Sequence, residues 1–390
     1  MTDLTKVAAD ETAQPVGRPR GGARARVVLK FGSRLLTGGT TTLDPERMRR
    51  IAAVVADAPD VDVVIVSSGA IAAGFRALGH TSPPTRIRDR QAAAAVGQTR
   101  LMALWSQAFH EVGREVAQIL LTNDCLTDRR RYIAARRALG TLLEAGVVPI
   151  VNENDTVSVE EIVVGDNDNL AASTAALVDA NILALLTDVP GVYDGDPDGH
   201  VPVTLIREAA SAEELRPFCF AKKARESTGG MHTKLEAAER AGRYGIPTVI
   251  ASGTDVEGLE AIVRGGRAGT FIAASRHPLA ARRHWMAVQR GLGGAIVVDT
   301  GAVEALRRKA NLLPSGIVGV RGHFRRGDLI AVFDTDGIEQ ARGIVRLDDR
   351  DVDRIRGLHT LDAGEALGRG QSQIVMRPDQ MVLIDKEERA

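Results

Sequence analysis

The stretch Val61-Asp62-Val63-Val64-Ile65-Val66-Ser67-Ser68-Gly69-Ala70 decides the reading of the fold. Its apolar residues run almost without interruption, where a strand with one wet face would alternate, so it is expected to be buried on both faces of a sheet. It closes on two serines and a glycine, a polar turn at its carboxyl end. The same grammar recurs along the chain. Strands are expected at Val27–Lys30, Val61–Ser67, Val116–Leu121, Val147–Asn152, Ile182–Thr187 and Thr248–Ala251. Helices are expected between them at Pro45–Ala56, Arg90–Val112, Asp128–Ala145, Leu170–Asp179 and Thr233–Tyr244, the first announced by Asp44 as N-cap and Pro45 as first helical position. Strands separated by helices imply parallel crossovers. The expected class is therefore α/β, a three-layer α/β/α sandwich with a mostly parallel central sheet.

The alternation stops near Ala274. Beyond the polar stretch Ser275–His284 come short, glycine-punctuated strands at Ala295–Asp299, Ile317–Val320, Asp328–Phe333 and Ala341–Val345, with one helix around Ala302–Ala310. That pattern predicts a small β-barrel-like domain. Residues 1–25 carry scattered charges and no apolar periodicity, and read as a disordered leader. The expected division is a leader at 1–25, the α/β domain at 26–276 and the β-rich domain with a C-terminal tail at 284–390.

Composition excludes several function classes. The 390 residues balance 50 Lys and Arg against 50 Asp and Glu, which argues against a surface that grips nucleic acid or anionic membrane as a whole. Cys125 and Cys219 are the only cysteines, so a disulfide framework or a cysteine-rich zinc site is excluded and a reducing compartment fits. No apolar run approaches the ~18–20 residues of a membrane span, and the start lacks a signal pattern. A cytoplasmic enzyme without membrane association is expected. Only seven of the 50 basic residues are lysines, so a lysine inside a glycine-rich segment stands out in an arginine-dominated chain.

Ligands of a parallel α/β sheet bind beyond the carboxyl ends of its strands. There the sequence places Lys30-Phe31-Gly32-Ser33, Ser67-Ser68-Gly69-Ala70, Asn152-Glu153-Asn154-Asp155 and Thr187-Asp188. The Gly32 and Gly69 turns offer backbone donors for phosphate, or serve turn geometry alone. Lys30, ending a buried strand, either snorkels to solvent or meets an anion. Thr228-Gly229-Gly230-Met231-His232-Thr233-Lys234 is a second glycine turn running into a helix. It departs from GxxxxGK[ST], and no GxGxxG opens a helix after a strand. It suits polyphosphate by backbone donors and a point charge, or is a plain helix start capped by Thr228. Gly165-Asp166-Asn167-Asp168-Asn169 brings oxygen donors suited to Mg²⁺ or an ammonium group, or forms an N-cap. The eight histidines show no zinc spacing, Cys125 reads as structural, and neither Ser67 nor Ser68 sits in GxSxG. Lysines and glycine turns beside a carboxylate and amide cluster, with no general base, fit phosphoryl transfer. An acceptor carboxylate, ionised at neutral pH with a pKa of roughly 4.3, needs no such base.

These motifs, in this order over residues 26–275, resemble the glutamate 5-kinase (γ-glutamyl kinase) family of the amino-acid kinase superfamily, and the segment from about 284 resembles a PUA domain. Lys-x-Gly-Ser and the Thr-Asp strand end are shared across the superfamily. Ser-Ser-Gly-Ala-Ile, Asn-Glu-Asn-Asp, Gly-Asp-Asn-Asp and Thr-Gly-Gly-Met point to this member. The resemblance implies ATP-dependent phosphorylation of the γ-carboxylate of L-glutamate to L-glutamyl 5-phosphate, the first step of proline biosynthesis, with Mg²⁺ and with proline as inhibitor. It also implies a homo-oligomer, dimer or tetramer, and contact with the next enzyme of the pathway. Carried over, Lys30, Lys234 and Asp168 are the catalytic residues, and Ser68, Asn152, Asp155 and Asn167 hold glutamate. Lys30, Gly32, Thr187, Asp188 and Thr228, Gly229, Gly230, Met231, His232, Thr233 and Lys234 bind ATP, and the metal ligand stays open between Asp166 and Asp168. Val163 stands where relatives often have a basic residue, and Glu226-Ser227 where a further glycine is common.

Two other readings stand beside this one. The first is another superfamily member, such as an acetylglutamate, carbamate or uridylate kinase, which shares the fold and lysines but not the substrate-side motifs. The second, from a different class, is an RNA-binding PUA protein. Residues 284–390 hold 16 basic and 16 acidic side chains, so the electrostatic footprint that phosphate-backbone binding requires is missing. The local cluster Arg321, Arg325 and Arg326 makes a small basic patch there, or is a solvated turn.

Overall fold

In the computed structural model, which describes residues 24–122, 125, 128–157, 166–197, 202–219, 230–274, 292–368 and 373–384, the apolar strands lie side by side in one eight-stranded sheet. The chain divides into two compact units, Met1–Pro278 and Leu279–Ala390. Residues 1–23 of the expected leader, the 276–284 boundary and the departures at Val163 and Glu226-Ser227 lie outside the described residues.

The first unit opens with β1 (Ala25–Phe31), α1 (Ser33–Leu36), α2 (Pro45–Ala56), β2 (Val61–Ser67), α3 (Ala70–Gly74), α4 (Ile87–His110) and β3 (Val116–Leu121). It continues with α5 (Arg129–Glu144), β4 (Val148–Glu153), α6 (Asp166–Leu177), β5 (Ile182–Thr187) and β6 (Glu208–Ala209). It closes with α7 (Met231–Arg243), β7 (Thr248–Ser252), α8 (Val256–Val263) and β8 (Thr270–Ile272). The sheet order is β3-β4-β2-β1-β5-β7-β8-β6, parallel throughout except for the β7/β8 pair. β6 and β8, two and three residues long, fall below the length at which a run of apolar residues is recognisable in sequence.

Strand parity sorts the core into two layers. Val27, Leu29, Phe31, Val63, Ile65, Ile182, Ala184 and Leu186 pack with α2, α4 and α8. Their immediate neighbours Val28, Val64, Val66, Leu183 and Leu185 pack with α5, α6 and α7 on the opposite side. This is the two-sided burial that a run without alternation requires. Lys30 lies in register with Val66 on one side and Leu185 on the other, so it shares their face and projects toward α6 and α7. β1 has β2 and β5 as neighbours: from it the chain runs first to one side through β2, β3 and β4, then to the other through β5 and β7. The carboxyl ends of these central strands therefore form the switch point where such sheets bind ligands.

One contact between helices is set by glycine. A Cβ at Gly97 of α4 would lie 1.7 Å from the carbonyl oxygen of Ala70, and one at Gly74 of α3 would lie 1.9 Å from that of Ala93. The two backbones touch, and α3 is the short helix that follows the Ser67-Ser68-Gly69 turn. Gly69 itself has φ of +110°, where a side chain is strained. Gly97→Ala is expected to lower stability by at least the ~1–3 kcal/mol typical of overpacking. A thermal midpoint equal to wild type would show that the crossing tolerates a methyl group.

The second unit contains β9 (Gly294–Val298), α9 (Thr300–Arg307), β10 (Ile317–Gly322), β11 (Leu329–Phe333), β12 (Glu339–Ile344), α10 (Asp349–Ile355), α11 (Thr360–Ala366) and β13 (Met381–Leu383). Its five-stranded sheet has the order β10-β9-β11-β12-β13, with β9 and β11 parallel and the other pairs antiparallel. Ile296, Val298, Ile330, Val332 and Ala341 meet Val303, Leu306, Val352 and Ile355 in its core. Among the described residues of the chain, no helix is long and apolar enough to cross a membrane.

Candidate active site

Lys30 is the next-to-last residue of β1, between the fully buried Leu29 and Phe31, and it is only 5 % exposed. Its partner comes from α6. Asp168, in the first turn of that helix, is fully buried, with Oδ1 2.6 Å from Lys30 Nζ. Its Oδ2 lies 3.2 Å from Lys234 Nζ and accepts a hydrogen bond of 2.9 Å from Thr233 Oγ1. Lys234 is 6 % exposed and belongs to the first turn of α7. Two helix starts and one strand end thus converge on a single carboxylate, and the two readings of Lys30 resolve in favour of an anionic partner.

The electrostatics follow from this arrangement. Burial by itself raises the pKa of Asp168, but the charges of Lys30 and Lys234, aided by hydrogen bonds from Lys30 and Thr233, outweigh it and hold the carboxyl below its ordinary value. Burial pushes Lys30 down; Asp168 counters this and Lys234 reinforces it. One carboxylate between two ammonium groups leaves an excess of one positive charge in a nearly dry site. A group of this kind calls for a further anion. Gly32 follows directly after β1, and a Cβ there would come 3.7 Å from Lys30 Nζ, so glycine leaves the approach to the ammonium open.

Around the first turn of α6, next to Asp168, a second cluster forms. Asn167 Nδ2 donates to Ser68 Oγ at 2.7 Å and to Asn152 Oδ1 at 3.2 Å. Asn152 Oδ1 also accepts from the Glu153 backbone N–H, and Asn152 Nδ2 donates to Gln98 Oε1 at 2.9 Å. Among the described residues, Asn167 Oδ1 is buried with no hydrogen-bond partner, as is Gln98 Nε2. Ser67, the neighbour of Ser68, turns to the other side of the sheet and accepts from Trp105 Nε1 at 3.0 Å, which pins the turn from below. Asp155 lies in the turn after β4, partly exposed.

Thr187 and Asp188 close β5, where Thr187 Oγ1 donates to Asp188 Oδ1 and the carbonyl of Thr187 accepts from the Gly253 N–H. Asp188 also meets Arg34 Nε at 3.4 Å. Gly230 is the N-cap of α7, and among the described residues no side chain caps the first N–H groups of that helix. The His232 ring is exposed and lies 3.2 Å from Glu236, pointing along the helix surface. Thr228, Gly229 and the side chain of Asp166 lie outside the described residues.

Lys30, Asp168 and Lys234 meet in one cluster and Ser68, Asn152 and Asn167 in the next, while Asp155 of the expected substrate set lies in the turn after β4. Gln98 and Arg34 join them without having been singled out in the sequence. Gln98 sits in the alanine-rich run Gln91–Gln98, where the one local signal is its neighbour Gly97, a helix-interior glycine that marks a close approach. Among the described residues no group of three His, Cys, Asp or Glu side chains is placed to hold a metal ion, and both oxygens of Asp168 are taken up by cations and a hydroxyl. Of the two expected metal ligands, Asp168 is thus engaged by cations, while the side chain of Asp166 lies outside the described residues.

Comparison with known proteins adds independent findings. The Amino acid kinase family model matches residues 25–252, and the PUA domain model matches residues 294–367. The chain is 42% identical over 363 residues to the Glutamate 5-kinase of Geobacter sp. (strain M21), covering 92% of this chain and 97% of that protein. It is 44% identical over 336 residues to the Glutamate 5-kinase of Geobacter metallireducens, covering 85% and 90%. With the Glutamate 5-kinase of Thioalkalivibrio sulfidiphilus it shares 41% identity over 378 residues, 96% of this chain and 100% of that one.

Proposed function

The chain belongs to the amino acid kinase family, as a glutamate 5-kinase with a PUA domain, and from this premise and the geometry above we propose how its residues divide the reaction. The enzyme transfers the terminal phosphoryl group of ATP to the side-chain carboxylate of L-glutamate, giving L-glutamyl 5-phosphate for proline biosynthesis. One carboxylate oxygen forms the new P–O bond, the bond from the γ-phosphorus to the β,γ-bridging oxygen breaks, and ADP leaves. No proton has to be removed from the acceptor, since a carboxylate of pKa roughly 4.3 is already ionised at neutral pH. The task left to the protein is positioning and charge neutralisation.

The observation that carries this reading is the buried Lys30–Asp168–Lys234 cluster with its uncompensated positive charge, adjoining the Ser68–Asn167–Asn152 amide cluster through neighbouring residues of α6. Lys30 and Lys234 neutralise the phosphoryl group from two sides, and Asp168 holds both ammonium groups at a fixed separation. Ser68, Asn152, Asp155 and Asn167 recognise glutamate: the hydroxyl of Ser68 suits its α-carboxylate, the carboxylate of Asp155 and the spare oxygen of Asn167 suit its ammonium group, and Asn152 holds Asn167 in place. The uncapped start of α7 and the Thr187-Asp188 strand end take the nucleotide. Proline carries the same ammonium-and-carboxylate pair as glutamate, which makes these groups the place where it would compete.

Incubation with L-glutamate, MgATP and hydroxylamine is expected to yield γ-glutamyl hydroxamate and ADP in equal amounts. ADP release without hydroxamate, or hydroxamate from acetate or N-acetylglutamate in preference to L-glutamate, would sink this assignment.

A further inference from the structure

The amide cluster has a direction, and Gln98 sets it. We infer that Gln98 is a positioning residue for substrate recognition, one that fixes which way the amides of Asn152 and Asn167 face; the inference rests on the glutamate reading of this pocket.

The hydrogen bonds form one chain across four elements: α4 to the end of β4, to the start of α6, to the turn after β2. Gln98 Oε1 accepts from Asn152 Nδ2 at 2.9 Å, so the other side of that amide, Oδ1, must face Asn167. Asn152 Oδ1 accepts from Asn167 Nδ2 at 3.2 Å and from the Glu153 N–H. Asn167 Nδ2 is thereby committed as a donor, to Asn152 and to Ser68 Oγ at 2.7 Å. Two consequences follow for the substrate. Asn167 must leave its oxygen, not its NH₂, as the unspent group, and that oxygen is buried without a partner. Ser68 Oγ, already accepting, keeps its proton free to donate. An acceptor for an ammonium group and a donor for a carboxylate are what an α-amino acid requires, and the reverse amide sense would exchange their places, setting a donor where the ammonium group is received and an acceptor where the carboxylate is.

Gln98 can play this part because of its neighbour. Gly97 lets the α4 backbone rest on the carbonyl of Ala70, bringing the next residue within reach of β4. Gln98 is itself 9 % exposed, and its Nε2 has no partner. A buried glutamine that leaves one donor unsatisfied is costly as a mere structural element. The polarity it imposes on Asn152 accounts for its presence.

The test compares L-glutamate with glutarate, which has both carboxylates but no amino group, as ligands of the full-length enzyme. Gln98→Met keeps the shape and removes the acceptor; Gln98→Leu is the second apolar variant should the first fail to fold. In the apolar variant the KM for L-glutamate is expected to rise about tenfold or more, as expected when a buried hydrogen-bond partner is lost, with the KM for ATP within twofold of wild type. The preference for L-glutamate over glutarate, measured against glutarate as a competitive inhibitor, is expected to fall by a similar factor. Gln98→Glu keeps an oxygen facing Asn152 Nδ2 and is expected to hold or increase the preference. A wild-type preference in the apolar variant would overturn the inference. So would equal loss for L-glutamate and ATP, or a collapse of the preference in Gln98→Glu. If the wild-type enzyme itself made no hydroxamate from L-glutamate, the glutamate reading would fail instead, and that control is run first.

Discussion

Lys234→Ala is expected to lower kcat by at least ~10²–10³-fold, the loss seen when one preorganised group aimed at transition-state charge is removed, while the protein stays folded. The structure supplies the reason for both halves. Lys234 is one of two ammonium groups around Asp168, and deleting it leaves the 2.6 Å pair between Lys30 and Asp168 in place, so no buried charge is stranded. Removal also lifts the repulsion that Lys234 exerts on Lys30. Steady-state kinetics with saturating L-glutamate and ATP, beside a thermal melt, separate the two effects. Turnover within tenfold of wild type would take Lys234 out of the phosphoryl-transfer machinery. A melt collapsing with the activity would mean that the lysine is structural.

Asp168→Asn has the opposite character. It removes the one negative charge between two buried lysines, and breaking a buried ion pair from one side costs about 3–5 kcal/mol. Activity is expected to vanish together with much of the stability. The pH dependence distinguishes this variant from an ordinary cavity. In the wild-type enzyme the depressed pKa of Asp168 contributes stability that is complete above the unfolded carboxyl value of 3.8 and is lost as pH falls through the lower folded value. In Asp168→Asn that acid transition is expected to disappear. The Lys30 pKa lies below its ordinary value of 10.5 even with Asp168 present. In the variant Lys30 loses its proton more easily still, so stability is expected to rise with pH up to about 10.5, where the unfolded chain also releases it. A chemical-denaturation series from pH 6 to pH 10 in which Asp168→Asn shows no such rise would contradict the assignment of Asp168 as their shared counter-charge.

The sequence was most legible where physical constraint was strongest. Val61–Ser67, Val116–Leu121 and Ile182–Thr187 have the bounds expected of them, as does the helix Pro45–Ala56 with Asp44 capping Glu46 and Arg47. Elsewhere the ends shift by up to four residues. α6 begins at Asp166, where Leu170 was expected, because the polar run Asp166–Asn169 forms the helix's own first turn. α10 was missed since Asp349–Ile355 offers only Val352 and Ile355 as buried residues, too few for periodicity to register over two turns. Within the site, Lys30 and Lys234 stand out through residue type, since charges in an apolar or glycine-rich setting need an explanation, whereas Asp168 is one polar residue among four in Asp166–Asn169 and only the family resemblance sets it between the lysines. Gln98 does not, because its role depends on a contact between α4 and β4 across 54 residues of sequence, and its neighbour Gly97 signals a close approach without saying to which element.

The surplus positive charge beside Lys30 also makes the site behave as an ion exchanger coupled to folding. An anion that settles there relieves repulsion that the empty protein carries, so occupancy and stability are linked: at a concentration 100 times its Kd, a ligand that binds only the folded chain adds about 2.7 kcal/mol. Because burial and Lys234 depress Lys30, a bound phosphate draws its pKa back up and takes on a proton wherever the free lysine has begun to lose it. Nucleotide affinity should then decline toward alkaline pH, and proton uptake on binding, read by calorimetry in buffers of different ionisation enthalpy, would report on the lysine directly.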